Sequence, residues 1–218
     1  THEQHNWLHK CLHDPAFIRE VDMIICAGDT ANNRSPALNH NPQLDFIQWY
    51  SELPFKYKIY VPGNHNTSEN RILKSVYEDL GIIRLIHESV TIENINIFGS
   101  PYTPTFGVDW AYNVNRNKLD NYWREIPDNT DILVTHGPPK GILDLTGRDH
   151  NNTEQVGCKS LLNHVFRVKP QYHIFGHIHD EKDIFNNGYR DINGTRFINA
   201  SIVDLDYNPI NLPIIFEI

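Results

Sequence analysis

Four short fragments of this chain share one grammar, and they constrain its fold more than anything else in it. Each is the end of an apolar, β-type run that stops on glycine-flanked polar residues. They are Ala27-Gly28-Asp29, Pro62-Gly63-Asn64-His65, Val134-Thr135-His136-Gly137 and Gly176-His177-Ile178-His179. The last follows Tyr172-His173-Ile174-Phe175, and its two histidines at i and i+2 share one face of an extended chain. Gly176 allows a tight backbone just before them. Histidine is the commonest metal ligand. One such pair on a loop would carry little weight; four strand ends that each offer an Asp, Asn or His carry more. In open α/β sheets ligands gather at the carboxyl ends of strands, so fragments far apart in the chain can converge.

The chain has 218 residues, enough to bury a proper core as one large domain. Its net charge of -8 is spread out, so no basic face is offered to long nucleic acid. No apolar segment is long enough to span a bilayer, and the visible start has no signal-peptide pattern. Cys11, Cys26 and Cys158 are scattered and odd in number, which reads as reduced thiols in a cytosolic protein. Cys26 falls in a strand run and reads as a small core residue. Glycosylation sequons begin at Asn66, Asn151 and Asn193; in so Asn-rich a chain they read as chance, and a sugar on Asn66 would crowd the proposed site.

Taken in order, Trp7, Leu8, Cys11 and Leu12 have helical spacing in a helix that ends near Pro15. Val21 to Ala27 reads as a buried strand, Ala31 to Asn41 as loop, and Pro42 as the start of a helix carrying Leu44, Phe46, Ile47 and Leu53. Lys58 to Val61 is a short strand, followed by a helix over Arg71 to Leu80 that Gly81 stops. Short strands then occupy Ile83-Ile86, Val90-Glu93 and Asn96-Phe98. Gly99 to Asn117 is an aromatic loop whose Tyr102, Phe106 and Trp110 read equally well as packing or as a substrate wall. Asp131 to Val134 is a strand. A helix holding Val156, Leu161, Leu162 and Val165 precedes the His-rich strand, a polar turn region runs to Gly194, and Arg196-Ala200 and Ile214-Ile218 close the chain as strands. No repeat or linker interrupts it. The expected architecture is a single α/β domain over residues 1–218, a two-sheet sandwich with mixed strands.

The ligand types are informative. There is one carboxylate (Asp29), one amide (Asn64) and several imidazoles (His136, His177, His179, with His2 a further candidate). No thiolate is present, which excludes a structural zinc cluster. Imidazoles outnumber oxygens, which disfavours calcium and an all-protein magnesium site and leaves manganese, iron and zinc. One ion could not use six such ligands and keep a position open for water; two ions bridged by Asp29 could.

The ordered set Gly-Asp, Gly-Asn-His, strand-end His and Gly-His-x-His resembles the calcineurin-like metallophosphoesterases. Phe98-Gly99-Ser100-Pro101, Trp110-Ala111, Asp131 through Pro139 and Ile198-Asn199-Ala200-Ser201 resemble the small metallophosphoesterase-domain group within them, so the likeness covers nearly the whole chain. The resemblance implies a four-layer α/β/β/α sandwich of two mixed β-sheets flanked by helices. It implies two divalent metal ions, manganese first, with iron, zinc, cobalt or nickel as alternatives. Asp29 would bridge them, Asn64, His136 and His177 would complete one site, and His2 and His179 would belong to the other. The family's first motif is Asp-x-His; Thr1-His2 matches only its last two positions, so the Asp and the strand that carries it are expected to be missing, trimmed from the sequence.

By the same resemblance, a hydroxide bridging the two metals attacks a phosphodiester, with small or 2′,3′-cyclic nucleotides first among substrates. His65, one past Asn64, would face the phosphate and help the leaving group. Arg34 could reach the substrate phosphate or simply be a solvated loop residue. The alternatives are a phosphomonoesterase, or a nucleotide-binding protein with residual activity if the first Asp is truly absent. Expected partners are small phosphoesters, with no long nucleic acid and no membrane, in the cytoplasm. Asp180 is the expected orienter of a ligand histidine. His5, His9, His13, His40, His87, His150, His164 and His173 have no motif support and read as surface or core residues.

Overall fold

The computed structural model describes residues 1–14, 20–147 and 152–218. The helix expected to end near Pro15 stops at Leu12; Pro15 itself, His150 and Asn151 of the second sequon lie outside the described residues. In chain order the strands are β1 (Met23–Cys26), β2 (Tyr57–Tyr60), β3 (Ile82–Arg84), β4 (Glu88–Ile92), β5 (Ile95–Ser100), β6 (Thr103–Pro104), β7 (Asn113–Val114), β8 (Ile132–Thr135), β9 (Leu145–Gly147), β10 (Thr153–Gln155), β11 (Tyr172–Phe175), β12 (Gly188–Ile192) and β13 (Thr195–Asn199). The α-helices are α1 (His5–Leu12), α2 (Pro36–Glu52), α3 (Lys74–Asp79), α4 (Leu119–Trp123) and α5 (Lys159–Val168).

Two sheets carry the architecture. The smaller has order β1-β2-β3, all parallel; the larger has order β12-β13-β11-β8-β5-β4, parallel at its centre with antiparallel strands at both edges. Strand alternation builds the layers. Ile59 and Val61 from the smaller sheet meet Ile97, Ile132, Val134, Ile174 and Ile198 from the larger, forming a core between the sheets. The intervening residues turn outward. Tyr60 packs with Phe46, Tyr50, Leu8 and Leu12 of α2 and α1, while Leu133, Phe175 and Phe197 pack under Leu119, Trp123, Leu161 and Val165 of α4 and α5. Both faces of β8 and β11 are therefore buried, which explains why their sequences are apolar but for Thr135 and His173, which bond each other. The result is the expected α/β/β/α order. Truncating Ile174 to Ala would cost about 2–5 kcal/mol through lost transfer and the cavity left behind.

Several elements differ from the sequence reading. Helix α2 begins at Pro36, because Ser35 is extended and proline is suited to the first helical turn; Pro42 lies inside the helix. The Arg71–Leu80 helix is a 3₁₀ turn (Glu69–Arg71) followed by α3. Gly81, at φ +67°, ends it as expected, its N–H donating to the carbonyl of Glu78. The polar stretch before Gly194 is strand β12, an edge strand whose exposed Tyr189, Arg190 and Asp191 hide the alternation. Ile214–Ile218 is not a strand. It lies across Tyr172, whose hydroxyl donates to the carbonyl of Glu217 and whose ring meets Phe216, so its apolar side chains are used in packing and not in a ladder.

Candidate metal centre

The four fragments converge at the carboxyl ends of β1, β2, β8 and β11. Close backbone approach makes this convergence possible. A Cβ on Gly28 would stand 2.6 Å from Nδ1 of His136, and one on Gly63 would collide with Oδ1 of Asp29. Only glycine fits between these loops. Asp29 itself is left-handed at φ +54°, as is His177 at +69°. Such strain in non-glycine residues clusters at functional sites.

Asp29 is almost fully buried, and its two oxygens have different neighbours. Oδ1 accepts the backbone N–H of His65 at 2.8 Å. Oδ2 lies 3.1 Å from Nε2 of His136 and 3.6 Å from Nε2 of His2. Two groups of ligand atoms result, Asp29 with His136 and His177, and Asp29 with His2 and His65. His179 joins the second side, its Nε2 3.1 Å from Nε2 of His2. Asn64 joins the first, its Oδ1 2.8 Å from Nε2 of His136.

Hydrogen bonds on the far side of each ring show what these atoms need. Nδ1 of His136 faces the carbonyl of Ala27 at 2.7 Å, a group that only accepts, so Nδ1 carries the proton. Nδ1 of His179 faces the carbonyl of Asp204 at 3.1 Å, and Nδ1 of His2 faces Oδ1 of Asn32 at 2.8 Å. In the neutral rings every Nε2 is then a lone pair. These lone pairs point at one another and at Asp29 and Asn64, acceptor against acceptor. Burial holds His2 well below the ordinary imidazole pKa, His179 at about 4 and His177 at about 3, so these three rings do not take up protons to resolve the conflict. Burial alone would raise the Asp29 carboxyl, but His136, then His65 and His2, hold it well below 3.8 and ionised. Nδ2 of Asn64 is buried with no partner among the described residues. Imidazole lone pairs, a carboxylate and an amide oxygen converging without donors fit divalent transition-metal cations.

The substrate side is partly as read. Nδ1 of His65 donates to the carbonyl of Asn32 at 3.1 Å, and its ring meets Trp110 at 4.2 Å. Trp110 in turn carries the guanidinium of Arg34, 4.6 Å from the ring centroid, which places that exposed cation at the rim. Phe106, 41% exposed, lies 5.0 Å from the His177 ring and stacks toward Trp110. Tyr102 does not join this wall; it packs against Tyr122, His87 and Tyr112. Asp180 does not orient a histidine either. Its carboxylate accepts the N–H groups of Asn186 and Asn187 and the amide of Asn211, organising the surrounding loops.

Three residues at the site were not legible. Asn32 takes His2 on its side chain and His65 on its carbonyl, Asp204 takes His179 on its carbonyl, and Tyr207 lies over the rings of His2 (4.5 Å), His179 (5.9 Å) and His65 (6.1 Å). Two of these roles belong to backbone carbonyls, which any residue supplies. Among the unsupported histidines, His5 bonds Asp45, His87 bonds Ser100, His164 bonds Asp120 and His173 bonds Thr135, as structural residues do.

A fold of this kind carrying such a centre is that of a metal-dependent phosphoester hydrolase, and residues 1–181 match the model of the calcineurin-like phosphoesterases, so the chain belongs to that family. It is similar to metallophosphoesterase domain-containing protein 1 of Homo sapiens, at 32% identity over 94% of this chain and 67% of that one. It is also similar to the UPF0046 protein K07C11.7 of Caenorhabditis elegans, at 33% identity over 100% of this chain and 72% of that one. Among solved structures it shares its fold with TT1561 of Thermus thermophilus, at TM-score 0.57 and 13% identity over 91% and 84% of the two chains. The phosphopantetheinyl hydrolase of Mycobacterium tuberculosis matches at TM-score 0.54 and 15% identity over 86% and 81%.

Proposed function

We propose that this chain is a phosphodiesterase acting on small nucleotide diesters, 2′,3′-cyclic species first, at a centre for two divalent cations of which manganese is the favoured metal. The observation that carries the reading is the position of Asp29 Oδ2, shared between two groups of acceptor atoms. Asn64, His136 and His177 would hold one cation, and His2 and His179 the other, with Asp29 common to both. When bound, such ions supply Lewis acidity and a water of lowered pKa. The chain's own contributions are distinct. His65, whose Nδ1–H is held by the carbonyl of Asn32, presents Nε2 to the leaving oxygen and gives it a proton as the imidazolium, a form that burial restricts to pH below the ordinary imidazole range. Arg34 at the rim supplies a charge for the phosphate. Phe106 and Trp110 offer apolar faces to a base or another leaving group.

No α-helix among the described residues is long and apolar enough to cross a membrane. We place the protein in the cytoplasm with small-molecule partners, as its reduced cysteines suggest. The test is a screen of manganese-loaded protein against cyclic nucleotides, bis-nitrophenyl phosphate and nitrophenyl phosphate. Faster turnover of diesters supports the reading. Faster turnover of the monoester makes it a phosphomonoesterase, and tight nucleotide binding without turnover makes it a binding protein.

A further inference from the structure

Asn66, singled out in the sequence only as the start of a sequon, has no accessible surface, so no sugar can be carried there. Its side chain does something else. The carbonyl Oδ1 accepts two backbone N–H groups, from Asp29 at 3.0 Å and from Gly63 at 2.7 Å. The amide Nδ2 donates to the hydroxyl of Thr30 at 2.6 Å. Its own N–H donates to the carbonyl of Gly63 at 3.0 Å. One buried side chain thus ties the loop after β1 to the loop after β2, and these are the loops that carry Asp29 and Asn64.

The tie falls where the backbone needs restraint. Asp29 is left-handed and follows Gly28 at φ +103°. Such a conformation persists in a non-glycine residue only when the surroundings determine it. The Asp29 N–H reaching into Asn66 is one such restraint, and the His65 N–H on Asp29 Oδ1 is the next. Together they leave Oδ2 aimed at His136 and His2. Few side chains can do this. The tie requires two acceptor lone pairs on one atom, which an amide or a carboxylate oxygen offers; the amide adds a donor bond to Thr30.

We propose that Asn66 is a positioning residue of the metal centre: without touching an ion, it sets the spacing between the Asp29 carboxylate and the Asn64 amide and so sets metal affinity. This rests on the metal-centre reading of the site. Groups that orient metal ligands typically change affinity about 10–100-fold when removed. An aspartate at this position keeps both acceptor bonds, with Thr30 donating in return.

The experiment titrates metal-free protein with Mn²⁺, following the free ion by electron paramagnetic resonance, for wild type, Asn66→Ala, Asn66→Asp and Thr30→Val. Apo melting curves are recorded in parallel, and titrations are run well below each Tm. The expected result is Mn²⁺ binding about 10–100-fold weaker in Asn66→Ala, near wild type in Asn66→Asp, and intermediate in Thr30→Val. Wild-type affinity in Asn66→Ala with only a lower Tm overturns the proposal, because the side chain would then serve folding alone. Weak binding in Asn66→Asp equal to that in Asn66→Ala overturns it as well. Should Asn66→Ala fail to fold, Thr30→Val and Asn66→Asp decide: weakened binding in the first with wild-type binding in the second supports it, and wild-type binding in both overturns it. Wild-type protein that takes up no Mn²⁺ overturns the metal-centre reading itself, and this inference with it.

Discussion

Oδ2 of Asp29 lies 3.1 Å from Nε2 of His136, a nitrogen whose ring partner is already committed to the carbonyl of Ala27. The same oxygen faces His2 on its other side, so removing its charge disturbs both groups of ligand atoms at once. Asp29→Asn should therefore lose both ions on dialysis, whereas His179→Ala should lose only the ion on the His2 side. Metal stoichiometry by elemental analysis decides. Asp29→Asn retaining two ions per chain as wild type does would make the shared role wrong.

His65 separates chemistry from ligation. It belongs by distance to the group with His2 and Asp29, yet its Nδ1 is tied to Asn32 and its ring faces Trp110. As a proton donor it matters most when the leaving oxygen is basic, and such help contributes about 10²–10⁴-fold. His65→Ala should keep its metals and fold but lose far more rate on a nucleotide diester than on bis-nitrophenyl phosphate, whose leaving group needs no proton. Equal losses would mean charge stabilisation alone, and loss of an ion would make His65 a ligand.

The aromatic loop divides in two, and so should its variants. Phe106→Ala and Trp110→Ala should raise KM for nucleotides while leaving KM for a small aryl phosphoester near wild type. Tyr102→Ala, which removes a ring packed on Tyr122 and His87, should lower Tm and leave both KM values unchanged. A KM effect from Tyr102, or none from Phe106, contradicts this division.

The strand-end ligands were legible because their chemistry is written in residue types: Asp, Asn and His beside glycine have few other reasons to follow apolar strands. What surrounds them was not. Asn32 holds His65, and Asp204 holds His179, through main-chain carbonyls, and Tyr207 reaches the site from a left-handed turn at φ +63°, so nothing in their spacing points there. Strand β12 was hidden because Tyr189, Arg190 and Asp191 are exposed in succession, on both faces of this edge strand, so it shows no apolar rhythm, and Ile214–Ile218 looked like a strand because packing against Tyr172 demands the same residues. Pro42 looked like a helix start because proline is read as a boundary, although Pro36 already supplies one.

Acid should destabilise the metal-free protein through its site histidines. Folded His179 and His177 titrate at about 4 and 3, depressed by burial from 6.5. Between those values and 6.5 the unfolded chain binds protons that the folded chain refuses, so stability rises with pH across that window and is lost as pH falls through it. The Tm of apo protein should fall steadily from pH 6.5 toward pH 4, by less in a His177→Gln, His179→Gln double variant. A flat Tm over that range would mean the rings are protonated as folded.

Metal-dependent cleavage of a diester is the central claim, and one measurement reaches it directly. Protein stripped with chelator is assayed on bis-nitrophenyl phosphate and nitrophenyl phosphate, before and after titration with Mn²⁺. The predicted result is no diester turnover without metal, recovery that saturates only after the second equivalent, and a higher kcat/KM for the diester. Turnover that survives chelation, or a monoester cleaved faster than the diester at full loading, would contradict it.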